Sequence, residues 1–115
     1  MSAQAMQALA LANQIRCEGR RLRREMNALP TAQSRQRAVE LLRDPPSEIA
    51  RMRVGFFLMG IHRYGPQKAA EALRWAGLSG TWDYRIGPFE RVSNIVRPLS
   101  ESQRHHLADV LEGLS

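Results

Sequence analysis

Residues 51–78 read RMRVGFFLMGIHRYGPQKAAEALRWAGL, two apolar segments joined by the short peptide IHRYGPQK, Ile61 to Lys68. The second segment opens on Pro66, carries Ala69, Ala70, Leu73 and Ala76 at helical spacing and meets Gly77 at its end. Proline suits the first turn of a helix and glycine the left-handed residue just beyond one, so this segment predicts a helix rather than a strand. Upstream, Asp44-Pro45-Pro46 stops one helix and can restart the chain as the next, with the aspartate as a candidate cap. A helix is therefore expected over Pro46–Met59, with Ile49, Met52, Phe56 and Met59 facing inward and Val54, Phe57 and Leu58 widening the apolar face.

Outward from this centre the pattern stays helical. Residues 3–28 are rich in alanine, leucine, methionine and glutamine without proline, which predicts one long helix ending near Leu29-Pro30, weakened in the middle by Gly19. Met6, Leu9, Ile15, Leu22 and Met26 form its loose apolar stripe, and Arg16, Arg20, Arg21, Arg23 and Arg24 crowd the remaining surface. AQSRQRAVELLRD, residues 32–44, gives a second helix with Thr31 as candidate cap, and Ser100-Glu101-Ser102-Gln103 matches a capping box at the head of the last helix. Between them, residues 79–98 are turn-rich but hold Trp82, Tyr84, Ile86, Phe89, Val92, Ile95 and Val96, too much apolar surface for a free linker. The chain reads as all-α, an N-terminal helical arm over 1–30 followed by a helical domain over 31–115.

Seventeen Lys+Arg against eleven Asp+Glu give a formal charge of +6 and a pI near 11.0 over 115 residues, a balance suited to a polyanion. All but one of the basic residues are arginine, whose planar fork matches phosphate, Lys68 being the exception. The single cysteine, Cys17, cannot form an intrachain disulfide and reads as a small buried residue of a reducing compartment. VGFFLMGI is too short to span a bilayer, and the N-terminus has no basic region ahead of an apolar one, so a soluble cytoplasmic protein is expected, with no membrane partner.

Enzyme signatures are missing: there is no phosphate-loop pattern, dinucleotide-binding glycine pattern, HExxH or paired-cysteine module, and neither a catalytic residue, a metal nor a cofactor is expected. The IHRYGPQK peptide carries more. A turn with Gly65 brings backbone close to a phosphate, and the amides at the start of the following helix favour an anion. Lys68 lies in that first turn and Arg63 enters from the other side, which makes a backbone clamp of Arg63, Tyr64, Gly65, Pro66, Gln67 and Lys68. The competing reading leaves Arg63 and Lys68 as solvated charges, with Tyr64 capping the core. Arg85, Arg91 and Arg97 lie on the connector and Arg104 early in the last helix, where they line a groove or make local salt bridges. Trp75 and Trp82 read first as core or interface residues, with base stacking as the alternative. The arm arginines Arg20, Arg21, Arg23 and Arg24 are candidate contacts to nucleic acid or to another subunit.

DPPSEIARMRVGFFLMGIHRYGPQKAAEALRWAGL followed by RPLSESQRHHLADVLEGL resembles the actinobacterial integration host factor of the mycobacterial and streptomycete type. The similarity covers roughly residues 38–114. It rests on Met52-Arg53-Val54, Arg63-Tyr64-Gly65-Pro66, Lys68-Ala69, Arg97-Pro98-Leu99-Ser100 and Glu101-Ser102-Gln103-Arg104. The resemblance implies a long N-terminal helix and a small helix-two-turn-helix domain related to ribosomal protein S13. It further implies non-enzymatic binding of double-stranded DNA with little sequence preference, DNA bending and compaction, and support of phage integration and nucleoid organisation. It places Arg63, Gly65, Pro66, Lys68, Arg97 and Arg104 at or near the DNA, and Arg53, within the matching Met52-Arg53-Val54, is a further candidate contact. Pro66 stands where the family has lysine, and the connector 79–96 is longer than the family's. The expected partner is double-stranded DNA, with an integrase or other protein as a further one. The alternatives are a protein-interaction module built on the connector and, behind it, binding of structured RNA.

Overall fold

The computed structural model of the protein describes residues 2–89 and 97–114. It is all-α: α1 Ala3–Ala28, α2 Thr31–Arg43, α3 Ser47–Ala50, α4 Val54–Leu58, α5 Pro66–Trp75 and α6 Glu101–Gly113, with no strand among the described residues. No helix there is long and apolar enough to cross a membrane.

Local chemistry accounts for most boundaries. Ser2 caps α1 by accepting from the Ala5 amide, and Ser100 and Gln103 close the expected capping box on α6. Gly65 is the N-cap of α5 and Pro66 its first residue. Gly77, at φ 71°, lets the Leu78 amide turn back to the Leu73 carbonyl and end the helix. Two expected caps are corrected. Thr31 is already the first residue of α2, whose N-cap is Pro30, and Asp44 is the C-cap of α2, its amide donating to the Glu40 carbonyl at 3.2 Å, while the N-cap of α3 is Pro46; neither proline offers a side-chain acceptor.

The helix expected over Pro46–Met59 is broken in two, and the break explains the core. Arg51, Met52 and Arg53 leave helical geometry because the connector competes for their backbone. The Val54 and Gly55 amides donate to the carbonyls of Tyr84 and Trp82, at 2.8 and 3.0 Å, while Ile86 and Gly87 donate to Met52 and Ala50. The interruption resets the helical phase. Ile49, Val54, Phe57, Leu58 and Ile61 are fully buried, whereas Phe56, expected inside, is exposed and Met52 and Met59 are only partly covered. Around that centre pack Ala38, Val39 and Leu42 of α2, Ala69, Ala72 and Leu73 of α5, Leu107, Ala108 and Leu111 of α6, and Ile86 of the connector.

The second half of α1 packs against this body. Met26 is fully buried, and Gly19 sits so close to α3 that a Cβ there would lie 2.5 Å from the Glu48 carbonyl oxygen. Gly19 is the point of contact between the two helices rather than a weak point in α1. Met6 and Leu9 of the expected stripe are exposed, as is Cys17, which was expected to be buried.

Candidate nucleic-acid interface

The connector gathers arginines that are far apart in sequence. Arg85 pairs antiparallel with Arg53 on one side and parallel with Pro98 on the other. Its amide donates to the Arg97 carbonyl at 2.7 Å, and its carbonyl accepts from the Leu99 amide at 2.8 Å. Residues directly opposite in an antiparallel pair project to the same face, so Arg53 and Arg85 lie side by side. Two like charges in that position repel each other, a cost that an anion removes. Among the described residues Asp83 moderates it, 3.9 Å from the Arg53 guanidinium and accepting from Arg85 through its main-chain carbonyl.

This cluster opens into a groove of about 670 Å³ between α1 and the α3–α4 break. Arg16 and Arg20 of α1, one turn apart, join Arg51, Arg53 and Arg85 on its walls, against a single carboxylate, Glu48. Ile15, Met52, Phe56, Met59 and Trp82 supply its apolar part. Arg16, Arg20 and Arg51 form no ion pair among the described residues. Trp82 owes its place to Gly55: a Cβ there would fall 2.2 Å from the indole ring. The indole also lines a second cavity along α5, with Gln67, Leu73 and Arg74.

The IHRYGPQK turn is a separate locus, since none of Arg63, Gly65 or Lys68 lines the arginine groove. It is firmly held. The His62 amide donates to the buried Ser34 hydroxyl at 2.9 Å, the His62 ring meets the Asn27 carbonyl, and the Asn27 side chain donates to the Gly60 carbonyl. Arg63, Gly65, Pro66, Gln67 and Lys68 are exposed, and with proline first in the helix only the Gln67 and Lys68 amides of its opening turn remain as donors. Tyr64 is corrected: only 9% exposed, it belongs to the core, with the Lys68 ammonium 5.4 Å from its ring centre. Arg63 occupies the left-handed region at φ 66°, unfavourable for a residue with a Cβ. Arg63→Gly should therefore raise stability by about 1 kcal/mol in urea unfolding. If it lowers DNA affinity in the same preparation, the arginine is kept for binding at the expense of the fold.

Other candidates are taken up by the structure. Arg104 is 5% exposed, and its guanidinium donates to the Leu42 carbonyl, 3.1 Å away, in the last turn of α2. It satisfies a helix C-terminus and is withdrawn from the interface; its Nε has no partner among the described residues. Arg104→Ala should cost about 2 kcal/mol of unfolding free energy while duplex affinity stays unchanged. Arg23 donates to the Phe56 carbonyl at 2.9 Å and lies over the Phe56 ring, and burial lowers its pKa; it joins α1 to α4 rather than reaching outward. Arg21 is held by Glu18 and Glu25. Arg20 faces the groove, Arg24 is exposed, and Arg91 lies outside the described residues.

The chain matches no protein family, curated protein or solved structure. Its site is therefore read from its own residues.

Arg51 and Arg16 are the groove residues that sequence reasoning left off the interface. Arg16 had a signal, since Ala12, Ile15, Arg16, Gly19 and Arg20 share one helical face. For Arg51 there was none, because its position follows from the break before α4. Trp75, read as core or interface, is 60% exposed on α5, within reach of Glu71.

Proposed function

We propose that this protein is a non-enzymatic, architectural binder of double-stranded DNA. The observation that carries the reading is the backbone pairing that sets Arg53 and Arg85 side by side among the groove arginines, with Arg97 exposed on the adjoining segment next to the paired Pro98. Guanidinium forks at fixed spacing suit consecutive phosphates, and main-chain hydrogen bonds prepare them before contact. Phosphate contacts position a protein without reading sequence, so low specificity follows. In this reading α4, the turn and α5 form the helix-two-turn-helix element, and Arg63 and Lys68 grip the backbone at a second point. Two grips on one duplex favour a bend wherever bending brings both into register. Nucleoid organisation and assistance to an integrase are the tasks such binding serves.

The test is a titration of a labelled duplex of about 30 base pairs at several salt concentrations, with energy transfer between its ends reporting shape. Binding that weakens steeply with salt, together with shortening of the end-to-end distance, is the expected result. No binding at low salt would end the reading, and binding to an unbent duplex would remove the architectural part. Matched double-stranded RNA should bind more weakly; tighter binding would instead favour the structured-RNA alternative.

Exposed Met6, Leu9 and Leu11 on the uncharged first half of α1 favour a protein contact as a second reading. Recovery of a stoichiometric partner after nuclease treatment of a native purification would support it, and its absence would count against it.

A further inference from the structure

The groove between α1 and the α3–α4 break has a composition that duplex DNA does not explain. A duplex offers phosphates on its outside and keeps the faces of its bases stacked inside. It would use the groove's arginines and gain nothing from Met52, Phe56 and Trp82. An unpaired strand offers both surfaces at once, phosphates along its backbone and free base faces, and aromatic side chains in a cationic channel are how proteins hold it. We propose that this groove binds unpaired nucleotides, with phosphates on Arg16, Arg20, Arg51, Arg53 and Arg85 and a base against Trp82. The proposal rests on the phosphate-binding reading of Arg53 and Arg85 and extends it to the ligand of the adjoining cavity.

Three features support that ligand. At about 670 Å³ the cavity lies within the range of small-ligand sites, so it takes nucleotides of one strand and not a double helix. Among the described residues five arginines line the groove with the Glu48 carboxylate, Asp83 stands 3.9 Å from Arg53, and Arg16, Arg20 and Arg51 have no acidic partner, so the walls call for several negative charges. Trp82 is fixed at Gly55 without being buried, a prepared aromatic surface at the groove wall. A protein that bends DNA gains from such a site, because a sharp bend unstacks base steps and the groove would stabilise the nucleotides released.

Trp82 fluorescence reports directly on the groove. In the Trp75→Phe variant, which removes the other, exposed tryptophan, an oligothymidylate of about eight nucleotides should quench the remaining emission. Arg20→Gln and Arg51→Gln, both on exposed side chains, should each weaken that binding about tenfold without changing the melting temperature. Oligouridylate serves as the RNA arm, and quenching by either polymer supports the proposal while their ratio says which is preferred. Binding of the oligonucleotide with no change in Trp82 emission would overturn it, as would unchanged affinity in both arginine variants. An oligoglutamate of equal charge that binds as tightly would also overturn it, in favour of an acidic peptide. If the duplex binds and the oligonucleotide does not, this inference alone fails; if neither binds at low salt, the architectural reading fails with it.

Discussion

Gly55→Ala should lower the melting temperature by roughly 12 °C, the equivalent of about 3 kcal/mol for a domain of this size. Helix propensity alone predicts the opposite sign, since alanine in place of glycine stabilises a helix by up to about 1 kcal/mol. The difference is steric. A methyl group at Gly55 would fall 2.2 Å from two atoms of the Trp82 ring. The ring cannot yield cheaply, because the Trp82 carbonyl accepts from the amide of that same glycine at 3.0 Å. Displacing the indole disturbs the backbone hydrogen bonds that break the helix before α4, and with them the phase of the core. Calorimetry together with tryptophan emission checks this. A variant as stable as the parent, or more stable, would show that the indole does not rest on this glycine.

Replacing Arg53 and Arg85 together by alanine should reduce duplex affinity by roughly one to two orders of magnitude at physiological salt. The plot of log affinity against log salt should also flatten by about 1.8, the release of two phosphate contacts. Stability should change little, because the hydrogen bonds that place these residues are made by main-chain atoms. That combination separates a binding role from a structural one. If affinity and salt slope both survive the double substitution, the pair does not hold the phosphates. The turn then becomes the main candidate, testable by Arg63→Ala with Lys68→Ala.

Legibility of the fold from the chain followed the range of the interactions involved. α5 and α6 were visible because caps, proline at a helix start and glycine beyond an end act within a few residues: Ser100 with Gln103, Pro66 and Gly77 all stand where their local chemistry puts them, while α1 was visible from helix-forming composition over residues 3–28. The helix read over Pro46–Met59 failed for the complementary reason. Its apolar periodicity is real, but the amides of Val54 and Gly55 are claimed by carbonyls some thirty residues later, an event without local trace. The same long-range pairing made Arg51 unreadable as a groove residue and brought Arg53 and Arg85 together. Arg104 misled because arginine in the first turns of a helix reads as solvent-facing, while here it reaches across to the end of α2. Tyr64 was balanced between two readings, and its burial decides for the core.

The way Arg85 is held has a consequence for how this surface can change. The pairing with Arg53 and Pro98 is made by its amide and carbonyl, its guanidinium adding only a local contact to the Asp83 carbonyl, and the amides of Val54 and Gly55 likewise fasten the connector through main-chain atoms. Position and chemistry are thus decoupled at residues 53, 85 and 97. Serine, glutamate or tryptophan could stand there with the same backbone beneath, so mutation is free to redraw the charge of this face one residue at a time while each intermediate still folds. An affinity for one polyanion could be strengthened, weakened or exchanged for another ligand along such a path, and a protein engineer could follow it too.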